Sequence, residues 1–166
     1  MPLLPILFWP DERLSQPCAE VADPTATADL VADMFETMYA APGRGLAGPQ
    51  VGRMLRLFVM DTTWKTSAGT PVACINPVIV AKSDQLVTGT EACLSIPGVD
   101  MLVPRSEWID MEWMDVEGQR HVERLTGFDA ICAQHEYDHL DGIVIFDRLP
   151  DEDRARKESA YEAHRQ

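Results

Sequence analysis

Between about Ala26 and Tyr39, apolar Leu30, Val31, Met34, Phe35 and Met38 recur at helical spacing with acids on the opposite face, which predicts an amphipathic helix. Asp23 or Thr25 can cap its start around Pro24, and Pro42-Gly43 ends it. A glycine-rich loop over 43–52 leads into Leu55–Met60, which reads as a buried strand. Thr70–Ile75 and Val78–Val80 read as further strands on either side of an Asn76-Pro77 break. From Glu107 to Val116 the pattern alternates, with Ile109, Met111 and Trp113 on one side and Asp110 and Glu112 on the other, as in a half-buried strand. Glu117-Gly118-Gln119 offers a turn into a partner strand near Arg120–Leu125. A second helix begins after Gly127, carries the stripe Phe128, Ile131, Cys132, His135 and His139, and ends at Gly142. The tail from Asp151 is polar with a thin apolar stripe, as expected of a surface helix. Strands followed by a buried helix predict an α+β domain, and no repeat or linker divides the single domain over 1–166.

Composition narrows the function classes. The chain has 166 residues, 46% of them hydrophobic and 25% charged, which suits one globular domain. Its 14 Lys and Arg against 27 Asp and Glu give a formal charge of −13. That acidity disfavours a sequence-independent nucleic-acid binder, direct DNA binding included, because such binding rests on cations neutralising phosphates. An anionic membrane surface is disfavoured for the same reason. No segment is apolar enough to span a bilayer, and the first ten residues lack the basic start of a secretory signal. The four cysteines show no CxxC spacing, so free thiols in a reducing cytoplasm are expected.

The sharpest chemical signal is His135-Glu136-Tyr137-Asp138-His139. Four residues at about 100° each put the two imidazoles one helical turn apart on one face. So placed they can hold one divalent metal, with Glu136 beside them as a base for water. The third ligand is open on spacing alone. Glu158 or Glu162 would make a zinc endopeptidase; Cys93, where a strand end enters a turn, would make a thiolate site.

Three segments in order, GRGLAGPQ (43–50), EACLS (91–95) and QHEYDHLDG (134–142), resemble the signature motifs of peptide deformylases. PDERL near the start, ADMFETMYA before the loop, INP at 75–77 and LVPR at 102–105 fit as well, so the resemblance covers essentially the whole chain. It implies antiparallel strands packed around the metal-bearing helix, and removal of the N-formyl group from the N-terminal methionine of newly made polypeptides. It implies metal ligands Cys93, His135 and His139, on Fe(II) first and Zn(II) second. Glu136 would be the general base, with Gln50 and the Leu94 backbone N–H at the developing oxyanion. Gly43, Arg44, Gly45, Glu91 and Ala92 would lie at the peptide, and Glu91 would also form a supporting ion pair with Arg105. Four positions depart from the family pattern: Arg44 for a branched aliphatic, Gly48 for alanine, Ala92 for glycine, and Asp100 in a stretch where a basic residue is common. Gly89 offers little side chain to the methionine pocket. The departures leave open a paralogue acting on another N-formyl substrate. The tail from Asp151 has four basic and five acidic residues, which implies weak or absent ribosome contact for a protein expected to be monomeric.

Overall fold

The computed structural model describes residues 3–166. In chain order the main elements are α1 (Ala28–Ala40), β1 (Gly45–Ala47), β2 (Leu57–Met60), β3 (Val72–Lys82), β4 (Leu86–Cys93), β5 (Ile96–Ser106), β6 (Trp108–Met114), β7 (Arg120–Thr126), α2 (Gly127–Leu140) and α3 (Asp151–Arg165). An antiparallel five-stranded sheet runs β1-β2-β3-β6-β7, and β4 and β5 form a separate two-stranded hairpin. The α+β class holds, with one helix early, one in the middle and one at the C-terminus.

The alternation in β6 has the expected consequence. Ile109, Met111 and Trp113 enter the core under α2, together with Phe58, Ala130 and Ala133. The outward acids are paired across the strand: Arg124 donates to Asp110, and Arg120 to Glu112. The Asn76-Pro77 pair does not split the strand, contrary to the sequence expectation. β3 runs through it with a register shift between Ile75 and Val78, and Asn76 sits at φ 51°, a region that asparagine tolerates. Its amide clasps the N-terminal arm, accepting from Val21 N–H (2.8 Å) and donating to Val21 C=O (2.9 Å). The glycine-rich loop also holds more structure than its composition suggests: Gly45–Ala47 pair with β2, and Gly48–Val51 form a 3-10 turn.

Helix α2 is buried over much of its circumference, through Ala130, Cys132, Ala133, His135, Glu136, Asp138, His139 and Leu140. The predicted stripe needs one correction. Phe128 is 50% exposed, because the first turn of α2 borders an open cavity rather than the core. The helix stops at Gly142 (φ 76°), where a Cβ would lie 2.7 Å from the Ser15 backbone, so only glycine lets the chain turn here. α3 is a surface helix: Tyr161 is its one buried residue, its hydroxyl donates to Trp9 C=O at 2.7 Å, and Arg154 pairs with Asp147.

Candidate metal centre

The β4–β5 hairpin, which the sequence pattern did not reveal, delivers the non-histidine half of the site. Alternation along β4 turns Glu91 and Cys93 inward and leaves Ala92 outward, with the hairpin register shifting between Glu91 and Cys93. Facing them on α2 are His135 and His139. One ligand atom from each of Cys93, His135 and His139 lies within 4.8 Å of the others, and all three residues are buried. His139 Nε2 is 3.5 Å from Cys93 Sγ. A tetrahedral centre with metal–sulfur near 2.3 Å and metal–nitrogen near 2.0 Å requires an S···N separation of about 3.5 Å, so the residues fit a divalent metal. Glu158 and Glu162 do not join them; they pair with Arg154 and Arg165 on α3.

The imidazoles are oriented from behind. Glu91 Oε1 sits 2.9 Å from His135 Nδ1, and a carboxylate can only accept, so Nδ1 carries the proton and Nε2 is available to a metal. Glu91 is itself gripped by Arg105 through two bonds of 2.9 Å. Burial opposes charge on Glu91, but the bonds from Arg105 and His135 outweigh it and hold its pKa down at about 2. Arg105 reaches on to Asp138 (2.6 Å), which Arg148 also binds through two bonds. For His139, burial and the neighbouring His135 push the pKa well below the ordinary value, which favours the neutral, ligating form.

Two further groups complete the chemistry. Gln50, 1% exposed, accepts from Ala47 N–H through Oε1 at 2.9 Å. That fixes its amide so that Nε2 points to Ser95 Oγ (3.0 Å) and Cys93 Sγ (3.7 Å). Glu136 lies against the backbone of the glycine-rich loop: a Cβ on Gly45 would stand 2.5 Å from its Oε2. Its other oxygen is buried without a partner among the described residues, and burial raises its pKa to about 7. A carboxyl so poised exchanges protons near neutrality.

These groups open onto a cavity of about 670 Å³, lined by Gly43–Gly45, Gln50, Thr90–Leu94, Ile96–Gly98, Phe128, Ile131, Cys132, His135 and Glu136 among others. This open trough is bordered by β4, which pairs with β5 alone and so keeps one edge unpaired.

A family model described as polypeptide deformylase matches residues 3–155. The chain belongs to that family. A peptide deformylase of Neisseria gonorrhoeae is 46% identical over 154 residues, covering 90% of this chain and 88% of the relative. One from Acinetobacter baumannii is 43% identical over 152 residues, covering 90% and 84%. Among solved structures, the Ehrlichia chaffeensis peptide deformylase in complex with actinonin superposes with a TM-score of 0.91 at 37% identity, covering all of both chains. The Thermus thermophilus enzyme gives 0.89 at 41%, covering 97% and 94%. The activity is therefore that of a metal-dependent peptide deformylase, removing the N-formyl group from the N-terminal methionine of new polypeptides.

The departures from the deformylase pattern now have a physical reading. Ala92 is not in the left-handed region, so its methyl brings no backbone strain and faces the cavity. Gly48 could not be alanine without movement, since a Cβ would be 2.7 Å from Arg53 C=O. Nothing lies within 4 Å of a Cβ on Gly89, so that position leaves open space. Glu91 borders the cavity as expected, but its carboxylate is committed to Arg105 and His135. Ser95, Asp138 and Arg148 are the site residues to which sequence reasoning gave no role. Two of them stand inside the motifs themselves; Asp138, one turn from His135 on a buried face, signalled a need for cationic partners.

Proposed function

We propose that Cys93, His135 and His139 hold one divalent metal and that Glu136 is the general base of the deformylation. The observation that carries this is the convergence of a thiol and two imidazoles beside a buried carboxyl poised near neutrality. A metal held there supplies Lewis acidity, polarising a carbonyl and acidifying a water. The trough receives the peptide along the β4 edge, with Gly43, Arg44, Gly45 and Ala92 against it. Glu136 accepts a proton as water adds to the formyl carbon and returns it to the departing amine. Gln50 Nε2 and the Leu94 backbone N–H donate to the oxyanion. Gln50 is supported in this role by its fixed amide orientation, since Oε1 is already occupied by Ala47.

The metal we favour is Fe(II), with Zn(II) the second reading; a thiolate and two imidazoles suit both. Four unpaired cysteines favour a reducing, cytoplasmic setting. α3, with its mixed charges spent largely on internal pairs, offers little to ribosomal RNA, and we take the protein to act as a monomer. The test is metal analysis together with formate release from formyl-Met-Ala-Ser, after purification with and without air. Iron content with oxygen-sensitive turnover is expected, because a thiolate on Fe(II) is open to oxidation. Equal, stable rates in air would remove iron in favour of zinc. Turnover of unrelated N-formyl amines as fast as the peptide would remove the methionyl substrate. Full metal retention in Cys93→Ala would remove the thiolate ligand.

A further inference from the structure

In a chain with a net charge of −13, a cation without an acidic partner is free to meet an anionic ligand. Among the described residues, Arg44, Arg53, Lys65, Lys82 and Lys157 have no carboxylate within ion-pair distance, while every other Arg is paired. Two of those five, Arg44 and Lys65, line the trough that leads to the metal centre.

Both are held there by other residues. Arg44 immediately precedes Gly45, which underlies the Glu136 carboxylate, and its guanidinium lies 5.5 Å from the centroid of the exposed Phe128 ring. Lys65 follows Trp64 in the loop between β2 and β3. The Trp64 indole N–H donates to Gly43 C=O at 2.9 Å, so the loop is fastened at the peptide bond leading into Arg44. Trp64 also packs edge-on against Tyr39 of α1, with centroids 5.2 Å apart. The loop thus brings the second cation to the wall that already carries the first. The acids nearby are placed otherwise. Glu91 is bound to Arg105, Asp129 accepts from Thr62, and Asp100 on β5, which also lines the trough, pairs with neither Arg44 nor Lys65.

We propose that Arg44 and Lys65 form a cationic rim that selects substrates carrying a carboxylate side chain in the first two residues after the formylated one. Resting on the deformylase reading, it adds a preference among N-terminal sequences. Arg44 adjoins Gly45, whose backbone abuts the Glu136 carboxylate, so its side chain leaves the wall close to the reacting end, and an extended peptide advances only about 3.3 Å per residue from there. Both cations are solvent-accessible, so the preference is modest and screened by salt.

The test uses the metal-loaded full chain and C-terminally amidated peptides: formyl-Met-Glu-Ala, formyl-Met-Ala-Glu and their Gln counterparts. At least one Glu peptide is expected to exceed its Gln counterpart in kcat/KM by roughly 1.5- to fivefold at low salt, the range for an exposed charge contact. That ratio should fall toward one near 1 M salt, where screening acts over about 3 Å. It should also shrink in Lys65→Gln and vanish in Arg44→Gln/Lys65→Gln, with the Gln peptide as internal reference. Calorimetric binding of the product peptides Met-Glu-Ala and Met-Ala-Glu, again against Gln, reads the same preference without turnover. Equal handling of Glu and Gln peptides in both measurements, or a preference that survives the double substitution, overturns the rim. Failure to release formate from any peptide would instead strike the deformylase reading, leaving the binding comparison to decide this one.

Discussion

Glu91 and His135 meet across the gap between a hairpin strand and a helix, with Oε1 2.9 Å from Nδ1. The contact ties a strand residue two positions before one proposed ligand, Cys93, to another, His135, on a different element. Glu91→Gln keeps the shape but removes the charge that holds the imidazole as an Nδ1–H tautomer. Metal affinity should fall by about 10- to 100-fold, the usual cost of losing a carboxylate behind a ligating histidine. Competition with a chromogenic chelator measures it; unchanged affinity would show that the contact does not orient His135.

Arg105 bridges two buried carboxylates, Glu91 and Asp138. Its side chain and those of Glu91 and Asp138 are each less than a tenth exposed. Arg105→Ala removes the guanidinium and leaves Glu91 without its cation, while Arg148 still reaches Asp138. Breaking one side of a buried ion pair costs about 3–5 kcal/mol, so the urea midpoint should drop sharply. A change below about 1 kcal/mol would mean that water replaces the arginine readily.

Glu136→Gln preserves size and hydrogen-bonding reach but cannot take a proton. Turnover should fall by about 10²- to 10⁴-fold, the range for general acid–base catalysis, with metal content unchanged. Gly45→Ala addresses the same group sterically, since the new methyl would press on Glu136 Oε2. It should lower kcat without releasing metal. Surviving turnover in the Gln variant would remove Glu136 as the base.

Gln50 offers a separable readout. Its Nε2 is aimed by the bond from Ala47 to Oε1, so Gln50→Ala should lower kcat by about 10²- to 10³-fold while KM moves much less. A loss confined to KM would make Gln50 a substrate contact instead.

Much of this centre was legible in the chain because its parts are local. His135, Glu136 and His139 share one helical turn, and the alternation of Ile109, Met111 and Trp113 declares its own strand. The strand pair carrying Glu91 and Cys93 was not legible. Its β4 alternates exposed Leu86 and Thr88 with half-buried Val87 and Gly89, which blurs the period-two signal. Phe128 misled for a related reason: a side chain lining an open trough is apolar without being buried. Three motifs in order were needed to choose Cys93 over Glu158, since the deciding contact spans 46 residues.

The wall that carries Lys65 rests on a second long-range pair, Tyr39 and Asp61, whose hydroxyl and carboxylate are 2.5 Å apart. Asp61 also accepts from Thr70 N–H at 2.9 Å, closing the loop that contains Trp64. Burial raises the Tyr39 pKa to about 12, with the Asp61 carboxylate adding to it. Burial works against charge on Asp61, but the bonds from Tyr39, Thr70 and Thr63 prevail and hold its pKa below the ordinary 3.8. The signs follow from linkage. Tyr39 binds its proton more tightly when folded, so its contribution is complete below about pH 10 and is lost as pH rises toward 12. Asp61 releases its proton more readily when folded, so its contribution is complete above the ordinary carboxylate range and is lost as pH falls through it. Tyr39→Phe should therefore be least stable relative to the parent between about pH 5 and 9, with the gap closing at both extremes. Urea midpoints of the two proteins across that range measure it. A gap near zero at every pH from about 4 to about 11 would mean that Tyr39 stabilises the loop only through its ring packing against Trp64.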